Sequence, residues 1–153
     1  MADAPAYRIW PPVALGAPLL AGWFLTATVG DPMVLQVDAS RAVAIVLTVA
    51  FAIWNGWALW LFARHSTALL PGGATRTLLV RGPFRLSRNP LYLGLIALDL
   101  ALALFWPSFW AAVLLPVGVF ALLWGAILPE ERYLDAKFGA EYRAYRARVR
   151  RWL

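Results

Sequence analysis

The chain has 153 residues, of which 62% are hydrophobic, nine are Trp and none is Cys. This apolar content is typical of an integral membrane protein. The lack of Cys excludes disulfides and cysteine nucleophiles, and a single His leaves little for metal binding, so no metal is expected. The net charge of +6 is attributed to membrane topology and anionic lipid headgroups, and nucleic acid is not expected as a partner.

Four apolar runs predict transmembrane helices in an all-α integral membrane protein. They cover residues 13–29, 42–63, 91–105 and 109–128. A membrane span needs about 20 residues, so the second and fourth runs are long enough, whereas the first and third need flanking residues. The sequence predicts one membrane domain over 1–153, with two N-terminal spans in 1–64 and the remaining elements in 65–153.

The turn between the third and fourth runs is very short, because it contains only Trp106, Pro107 and Ser108. Such a turn predicts an antiparallel helical hairpin. The amino end of the third helix and the carboxyl end of the fourth should therefore meet at the same membrane face.

Basic residues concentrate on one predicted face of the membrane. Arg8, five arginines within 64–88 and seven basic residues from Arg132 onward share this face, whereas the other face has only Arg41. By the positive-inside rule, the crowded face is cytoplasmic and both termini lie inside. The small size, the bias to Ala, Leu and Arg and the lack of Cys suggest a bacterial inner membrane.

Beyond Glu131 the sequence becomes charged and aromatic. Apolar residues recur there every three or four positions and predict an amphipathic helix, broken or bent near Gly139. This apolar stripe comprises Leu134, Phe138, Tyr142, Tyr145, Val149 and Trp152. The opposite side is basic, which suits a helix lying in the cytoplasmic headgroup layer.

The step Asn89-Pro90 predicts the start of the third helix, because Asn is a favoured N-cap and Pro fits the first helical position. A helix amino terminus has unpaired N–H groups and a partial positive charge. With Arg85 and Arg88 just upstream, an anionic group such as a carboxylate could dock there. Alternatively, these arginines only anchor the chain to lipid phosphates.

Glu130 and Glu131 stand where the fourth helix is expected to end and to leave the membrane. Adjacent carboxylates at a helix carboxyl terminus oppose the helix dipole and repel each other. Compensation is expected from nearby arginines or from a ligand with cationic and hydroxyl donors. The hairpin brings this pair beside Asn89, and the combination suits a zwitterionic amino-acid group on a nucleoside.

Two polar residues fall inside predicted spans. Asp99 shares a helical face with Tyr92, and Asn55 of the second span could be its partner. Intramembrane acids usually face a cavity or a partner, so Asn55 and Asp99 are candidate substrate-binding residues, with hydrogen-bonded packing as the alternative. His65 has no second His or Cys to complete a metal site and is interpreted as an interfacial or loop residue.

Two motifs occur in order, TLLVRGPFRLSRNPLYLG and, after the hairpin, EERYLDAKFGAEYRAYRARVRRWL. Together, over residues 77–153, they resemble the isoprenylcysteine carboxyl methyltransferase and phospholipid methyltransferase family of integral membrane enzymes. Eukaryotic members of that family carry His where this chain has Asn89.

The resemblance implies that S-adenosylmethionine binds at the cytoplasmic ends of the last two spans. The implied contacts to adenine and ribose are Thr77, Leu78, Leu79 and Phe84. The implied contacts to the methionine part are Asn89, Pro90, Leu91 and Tyr92. The implied acceptors of hydrogen bonds from the cofactor are Glu130 and Glu131.

Methyl transfer from a sulfonium requires alignment and removal of water, and neither a metal nor a catalytic triad. The expected acceptor is a lipid or a lipophilic small molecule that arrives from the bilayer. A carboxylate acceptor would arrive ionised, and Arg85 or Arg88 could hold it. An amine, thiol or hydroxyl would need Glu131 or a substrate group to help remove a proton.

Two other functions remain open at this point. One is an NADPH-dependent membrane reductase of the sterol reductase type, against which the acidic pair argues. The other is a non-enzymatic scaffold or transport protein, which a hairpin packed without a cavity near Asn89 and Glu131 would favour.

Overall fold

The protein is described here from a computed structural model, which covers residues 5–33, 36–64 and 77–153; His65 lies outside these ranges. All regular structure in the described residues is helical. The helices are α1 (Pro11–Val29), α2 (Val37–Arg64), α3 (Pro90–Phe105), α4 (Phe109–Leu122), α5 (Leu128–Phe138) and α6 (Ala140–Arg148). A 3₁₀ turn occupies Gly82–Arg85, and a π-helical segment, Leu123–Ile127, joins α4 to α5.

Three helical stretches are long and apolar enough to cross a membrane: α1, α2 and the continuous stretch Phe109–Phe138. The remaining apolar helix, α3, has only 16 residues. At 1.5 Å per residue it is about 24 Å long, shorter than the hydrocarbon core of about 30 Å. The all-α integral membrane architecture is therefore confirmed, but the third apolar run forms a shorter helix than a full span.

The fourth helix does not end at the two adjacent carboxylates, so that expectation was wrong. It continues through the π-helical segment, and Glu130 and Glu131 lie in the first turn of α5. The helix breaks only at Gly139, between α5 and α6, where φ is 52°. The predicted break is confirmed there, because glycine adopts a positive φ without a steric penalty from Cβ.

The π-helical segment lies just before Pro129, which has no N–H to donate to the carbonyl of Gly125. That carbonyl instead accepts hydrogen bonds from the backbone N–H groups of Arg8 and Ile9, at 2.8 and 3.3 Å. A Cβ on Gly125 would overlap Ile9, so the close approach requires glycine. The chain before α1 is thereby fixed against the helix that carries the two carboxylates.

The long helices pack in two pairs, α1 along α4 and α2 along α3. Close approach depends on small residues: Gly22 of α1 lies on Ala111, and Gly94 of α3 lies on the Asn55 side chain. The α3–α4 hairpin joins the two pairs. Among the described residues, the consecutive helices α1 and α2 make no extensive contact with each other.

Candidate functional site

A cavity of about 370 Å³ lies where the chain before α1, α2, the segment 77–89, α3 and the α5–α6 region meet. This volume is within the range of roughly 300–1,000 Å³ that is usual for ligand pockets. Nine of the ten residues implied to bind the cofactor line it: Thr77, Leu78, Leu79, Phe84, Asn89, Pro90, Leu91, Tyr92 and Glu130. Arg88 and Asn55 also line the cavity, whereas Arg85, Asp99 and Glu131 do not.

The start of α3 matches the predicted positions but not the predicted capping. Asn89 is the N-cap residue and Pro90 the first helical residue, yet the Asn89 side chain makes no capping hydrogen bond. Its Nδ2 donates instead to the carbonyl of Arg151 at 3.2 Å. The same carbonyl, in the tail after α6, also accepts a hydrogen bond from Ser87 Oγ at 3.1 Å.

The C-terminal tail thus runs beside the corner at residues 87–89. The backbone N–H of Arg88 donates to the carbonyl of Arg150 at 2.9 Å. Three hydrogen bonds therefore join the tail to this corner, from the Arg88 backbone, the Ser87 hydroxyl and the Asn89 amide. They fix the arginine-bearing loop next to the first turn of α3.

Glu131 is held by two arginines. Nε and Nη2 of Arg151 donate to its Oε1 and Oε2 at 3.0 and 2.9 Å, and Nη2 of Arg88 lies 3.3 Å from Oε1. The side chains of Arg88 and Glu131 are each only 8% exposed. Hydrogen bonding to Glu131 raises the pKa of Arg151, so the guanidinium of Arg151 stays charged at neutral pH.

These contacts argue against Glu131 as an acceptor of hydrogen bonds from a ligand or as a base. Both carboxylate oxygens already receive hydrogen bonds from arginine, and the residue does not line the cavity. Of the two sources of compensation considered from the sequence, nearby arginines are the one that the structure shows for Glu131. In this geometry Glu131 joins Arg151, in the tail after α6, to Arg88, in the loop before α3.

Glu130 has different surroundings. Its Oε2 accepts hydrogen bonds from the hydroxyls of Tyr92, at 2.8 Å, and Tyr7, at 3.4 Å. Within the described ranges, no hydrogen bond reaches Oε1. Because Glu130 lines the cavity, Oε1 can accept a hydrogen bond from a ligand. The Tyr92–Glu130 contact also confirms that the start of α3 and the far end of the fourth helix converge.

Arg88 combines burial with incomplete pairing. Its Nε and Nη1 are buried and find no hydrogen-bond partner in the described part of the chain. A buried donor without a partner costs free energy, so an anionic group bound here would be favoured. Burial raises the pKa of Tyr142, Glu131 raises it further and Arg88 opposes the rise, so this neighbouring phenol stays neutral. Arg85, in contrast, is exposed.

The predicted apolar stripe beyond Glu131 is confirmed in part: Leu134, Phe138, Tyr142, Tyr145 and Val149 gather in one cluster, whereas Trp152 lies beyond α6 and packs against another. Tyr142 and Tyr145 are buried against Leu78 rather than lying open to lipid headgroups. The Tyr145 hydroxyl donates to the carbonyl of Phe84 at 2.7 Å. Both tyrosines line the cavity, so α6 covers the segment 77–84 and closes one side of the site.

Asn55 and Asp99 do not form the pair that the sequence suggested. Asn55 Nδ2 donates to the carbonyl of Leu91 at 3.3 Å, its buried Oδ1 finds no partner among the described residues, and the side chain packs on Gly94. Asp99 is buried farther along α3, away from the cavity wall. The expected pairing was wrong because Asn55 lies against the first turns of α3, beside Leu91 and Gly94.

Sequence reasoning missed three neighbours of the site: Tyr7, Ser87 and Arg151. The two carboxylates signalled a need for cations, which could have pointed to Arg151. Tyr7 had no such signal, because it lies 123 residues from Glu130 in the chain.

Comparison with known proteins identifies the class. The family model described as phospholipid methyltransferase matches residues 39–141, more than half of the chain. The chain therefore belongs to the phospholipid methyltransferase family, within the isoprenylcysteine carboxyl methyltransferase-like membrane methyltransferases, and the resemblance drawn from its motifs is confirmed.

Part of the chain is also similar to another protein. An uncharacterized protein of Haemophilus influenzae (strain ATCC 51907 / DSM 11121 / KW20 / Rd) is 38% identical over 63 residues, which are 41% of this chain and 100% of that protein. No solved structure matches the chain. The family is one of methyltransferases, and the cavity beside Asn89 differs from the packed hairpin expected of a scaffold. Neither alternative function is favoured.

Proposed function

We propose that this membrane protein transfers a methyl group from S-adenosylmethionine to a lipid or a lipophilic small molecule. Family membership supports methyl transfer. One observation carries the cofactor assignment: a single cavity contains the incompletely paired Arg88 and the carboxylate of Glu130, whose Oε1 receives no hydrogen bond from the described residues. Such a cavity suits a ligand that has both an anionic group and several donors.

The residues present fit this cofactor. Its carboxylate would be held by Arg88 and by the amino terminus of α3, where N–H groups and the helix dipole favour an anion. Its ammonium or hydroxyl groups would donate to Oε1 of Glu130. The wall formed by Leu78, Leu79 and Phe84 is apolar and suits the nucleoside.

The acceptor side is the apolar part of the cavity. It is lined by Phe51, Leu59 and Phe62 of α2 and by Pro11 and Pro12 of α1. Because α1 and α2 pack against different partners, an acceptor with an apolar tail could arrive between them from the bilayer. Asn55 is the polar residue of α2 on this wall, and we infer that it contacts the head of the acceptor.

When bound, S-adenosylmethionine would supply a methyl group that its sulfonium has already activated. The task of the protein is then to align the acceptor and to exclude water. Arg88 could hold an ionised carboxylate acceptor, whereas an amine or hydroxyl would need a nearby base, for which Glu130 is placed on the cavity wall. Arg85 and Glu131 are outside that wall, so we assign these tasks to Arg88 and Glu130.

The proposed topology places the cavity at the cytoplasmic face. The corner at residues 87–89 and the tail after α6 lie on the arginine-rich side of the chain, which the positive-inside rule assigns to the cytoplasm. A polar cofactor could then bind from the cytoplasm of a bacterial cell, while the acceptor stays in the inner membrane.

Titration of the purified protein in detergent with S-adenosylmethionine and, separately, with NADPH tests the cofactor. We expect S-adenosylmethionine to bind and NADPH not to bind. Arg88→Lys should weaken the binding, whereas the matched change Arg85→Lys, on the exposed side of the same loop, should leave it unchanged. A folded protein that binds no S-adenosylmethionine would exclude the proposed function.

The acceptor is identified by incubating the protein with methyl-labelled S-adenosylmethionine and fractionated bacterial lipid extracts. Label in the lipid phase that requires Glu130 and Arg88 supports a lipophilic acceptor. Label only in water-soluble fractions would contradict it.

A further inference from the structure

We propose that Tyr7, in the chain before α1, is a positioning residue of the methyl-transfer site, which holds Oε2 of Glu130 so that Oε1 is presented to the cofactor. This inference rests on the proposed function. Tyr7 lies outside residues 39–141, the part of the chain that matches the family. The site would then depend on a segment that the family match does not contain.

The position of Tyr7 follows from the geometry around Pro129. Because Pro129 has no N–H, the carbonyl of Gly125 is left for the backbone N–H groups of Arg8 and Ile9. These contacts fix the residues directly after Tyr7 to the same helix that carries Glu130. The Tyr7 side chain lines the cavity, and its hydroxyl reaches Oε2 of Glu130 from the segment that precedes α1.

The hydrogen bonds to Glu130 are one-sided. Tyr7 and Tyr92 both donate to Oε2, and their phenol oxygens lie 3.4 Å apart. A carboxylate held at one oxygen by donors from two separate parts of the chain cannot rotate freely. Its orientation, and therefore the direction of Oε1, is set before a ligand binds, which lowers the ordering cost of binding.

Phenols are suited to this task because they are neutral. Glu131 is paired with Arg88 and Arg151, which cancel its charge. In the described part of the chain, no ion pair involves Glu130. Hydroxyl donors orient the carboxylate without pairing it with a fixed positive charge, so a ligand with cationic or hydroxyl donors can take that place.

A double-mutant cycle tests the inference. The variants are Tyr7→Phe, Glu130→Gln and their combination, and the measured quantity is the dissociation constant of S-adenosylmethionine. Loss of this hydrogen bond, which is long at 3.4 Å, predicts that Tyr7→Phe weakens binding by about 3- to 10-fold. In the Glu130→Gln background the same change should have an effect of less than about twofold, because Tyr7 acts through Glu130.

The control is Tyr133→Phe, since the Tyr133 hydroxyl contacts Lys137 and the residue does not line the cavity. It should leave the dissociation constant unchanged. Thermal unfolding of each variant separates positioning from folding, because Tyr7→Phe should shift affinity without a comparable shift in the unfolding temperature. A second variant, Gly125→Ala, moves the anchor through its overlap with Ile9 and should weaken cofactor binding while every tyrosine is retained.

The outcomes are distinct. Unchanged affinity in Tyr7→Phe, or additive effects of Tyr7→Phe and Glu130→Gln, overturn the positioning role while the proposed function stands. Loss of affinity only in step with loss of folding, in both Tyr7→Phe and Gly125→Ala, overturns it as well. No binding by the unchanged protein overturns the proposed function and this role together.

Discussion

Glu130 and Glu131 are neighbours in the first turn of α5, yet their carboxylates enter opposite surroundings. Glu131 is held by the guanidinium groups of Arg88 and Arg151, whereas the hydrogen bonds that Glu130 accepts from described residues come from phenol hydroxyls. Consecutive residues of a helix point in directions about 100° apart, so adjacent side chains can contact different parts of the structure. One carboxylate therefore ties the tail to the loop, while the other lies at the cavity wall without an arginine partner among the described residues.

The largest effect is expected from Glu131→Gln. Removing this charge leaves Arg88 buried without its counter-ion, which should lower the free energy of unfolding by about 3–5 kcal/mol. Denaturant unfolding in detergent measures it, with Glu141→Gln on the exposed side of α6 as the control. A small loss of stability with a large loss of cofactor affinity would reverse the roles assigned to the two carboxylates.

Glu130→Gln should produce the complementary result. It replaces the carboxylate at the cavity wall, and loss of charge-assisted hydrogen bonds to the bound cofactor predicts binding of S-adenosylmethionine weaker by about 1.5–3 kcal/mol, or about 10- to 100-fold. Its effect on unfolding should be smaller than that of Glu131→Gln. Equilibrium binding with labelled cofactor gives the value, and similar unfolding losses in the two variants would abolish the distinction.

Arg151→Lys sharpens the comparison by keeping the charge and removing the two-point contact with Glu131. Lys cannot reproduce the paired N–H geometry of a guanidinium, so we expect a loss of about 1–2 kcal/mol in unfolding free energy. The neighbouring change Arg150→Lys, at an exposed side chain, is the control and should be near neutral. Equal effects at both positions would mean that the tail needs only positive charge.

The smallest effect is expected from Tyr145→Phe, which leaves both carboxylates intact. It removes the hydrogen bond to the carbonyl of Phe84 and should cost about 1 kcal/mol of unfolding free energy. Because that bond attaches α6 to the segment 77–84, which lines the cavity, cofactor dissociation should also become faster. Stopped-flow release of the cofactor measures this, and an unchanged rate would show that the cover does not control release.

Much of the fold was accessible from the sequence. The apolar runs located the membrane helices, and the three-residue turn at Trp106–Ser108 predicted the hairpin that brings Tyr92 to Glu130. Gly139 marked the break between α5 and α6. The fourth helix was misjudged at its end, because the charges at Glu130 and Glu131 resembled an exit from the membrane, whereas the helix runs on to Phe138.

The candidate site was accessible in part. The motif resemblance named residues that do line one cavity. It could do so because the short stretches 77–79 and 89–92 each contribute consecutive residues to the lining. It gave Glu130 and Glu131 the same task, since adjacent carboxylates look alike in a sequence. Separately from the resemblance, the polar residues inside the predicted spans suggested Asn55 as a partner for Asp99, because helical periodicity gives the face of a residue but not its depth against a neighbouring helix.

The sequence by itself determined the membrane character and the hairpin, because hydrophobic length and turn length act locally along the chain, and its resemblance to the family pointed to the segments that line the cavity. Only the tertiary structure decided which carboxylate oxygen stays available, which arginines close on Glu131 and that Tyr7 reaches Glu130. These choices depend on partners 20 to 123 residues apart. Hydrogen-bond partners at such separations are set by how the helices pack and by the carbonyl that Pro129 leaves unpaired.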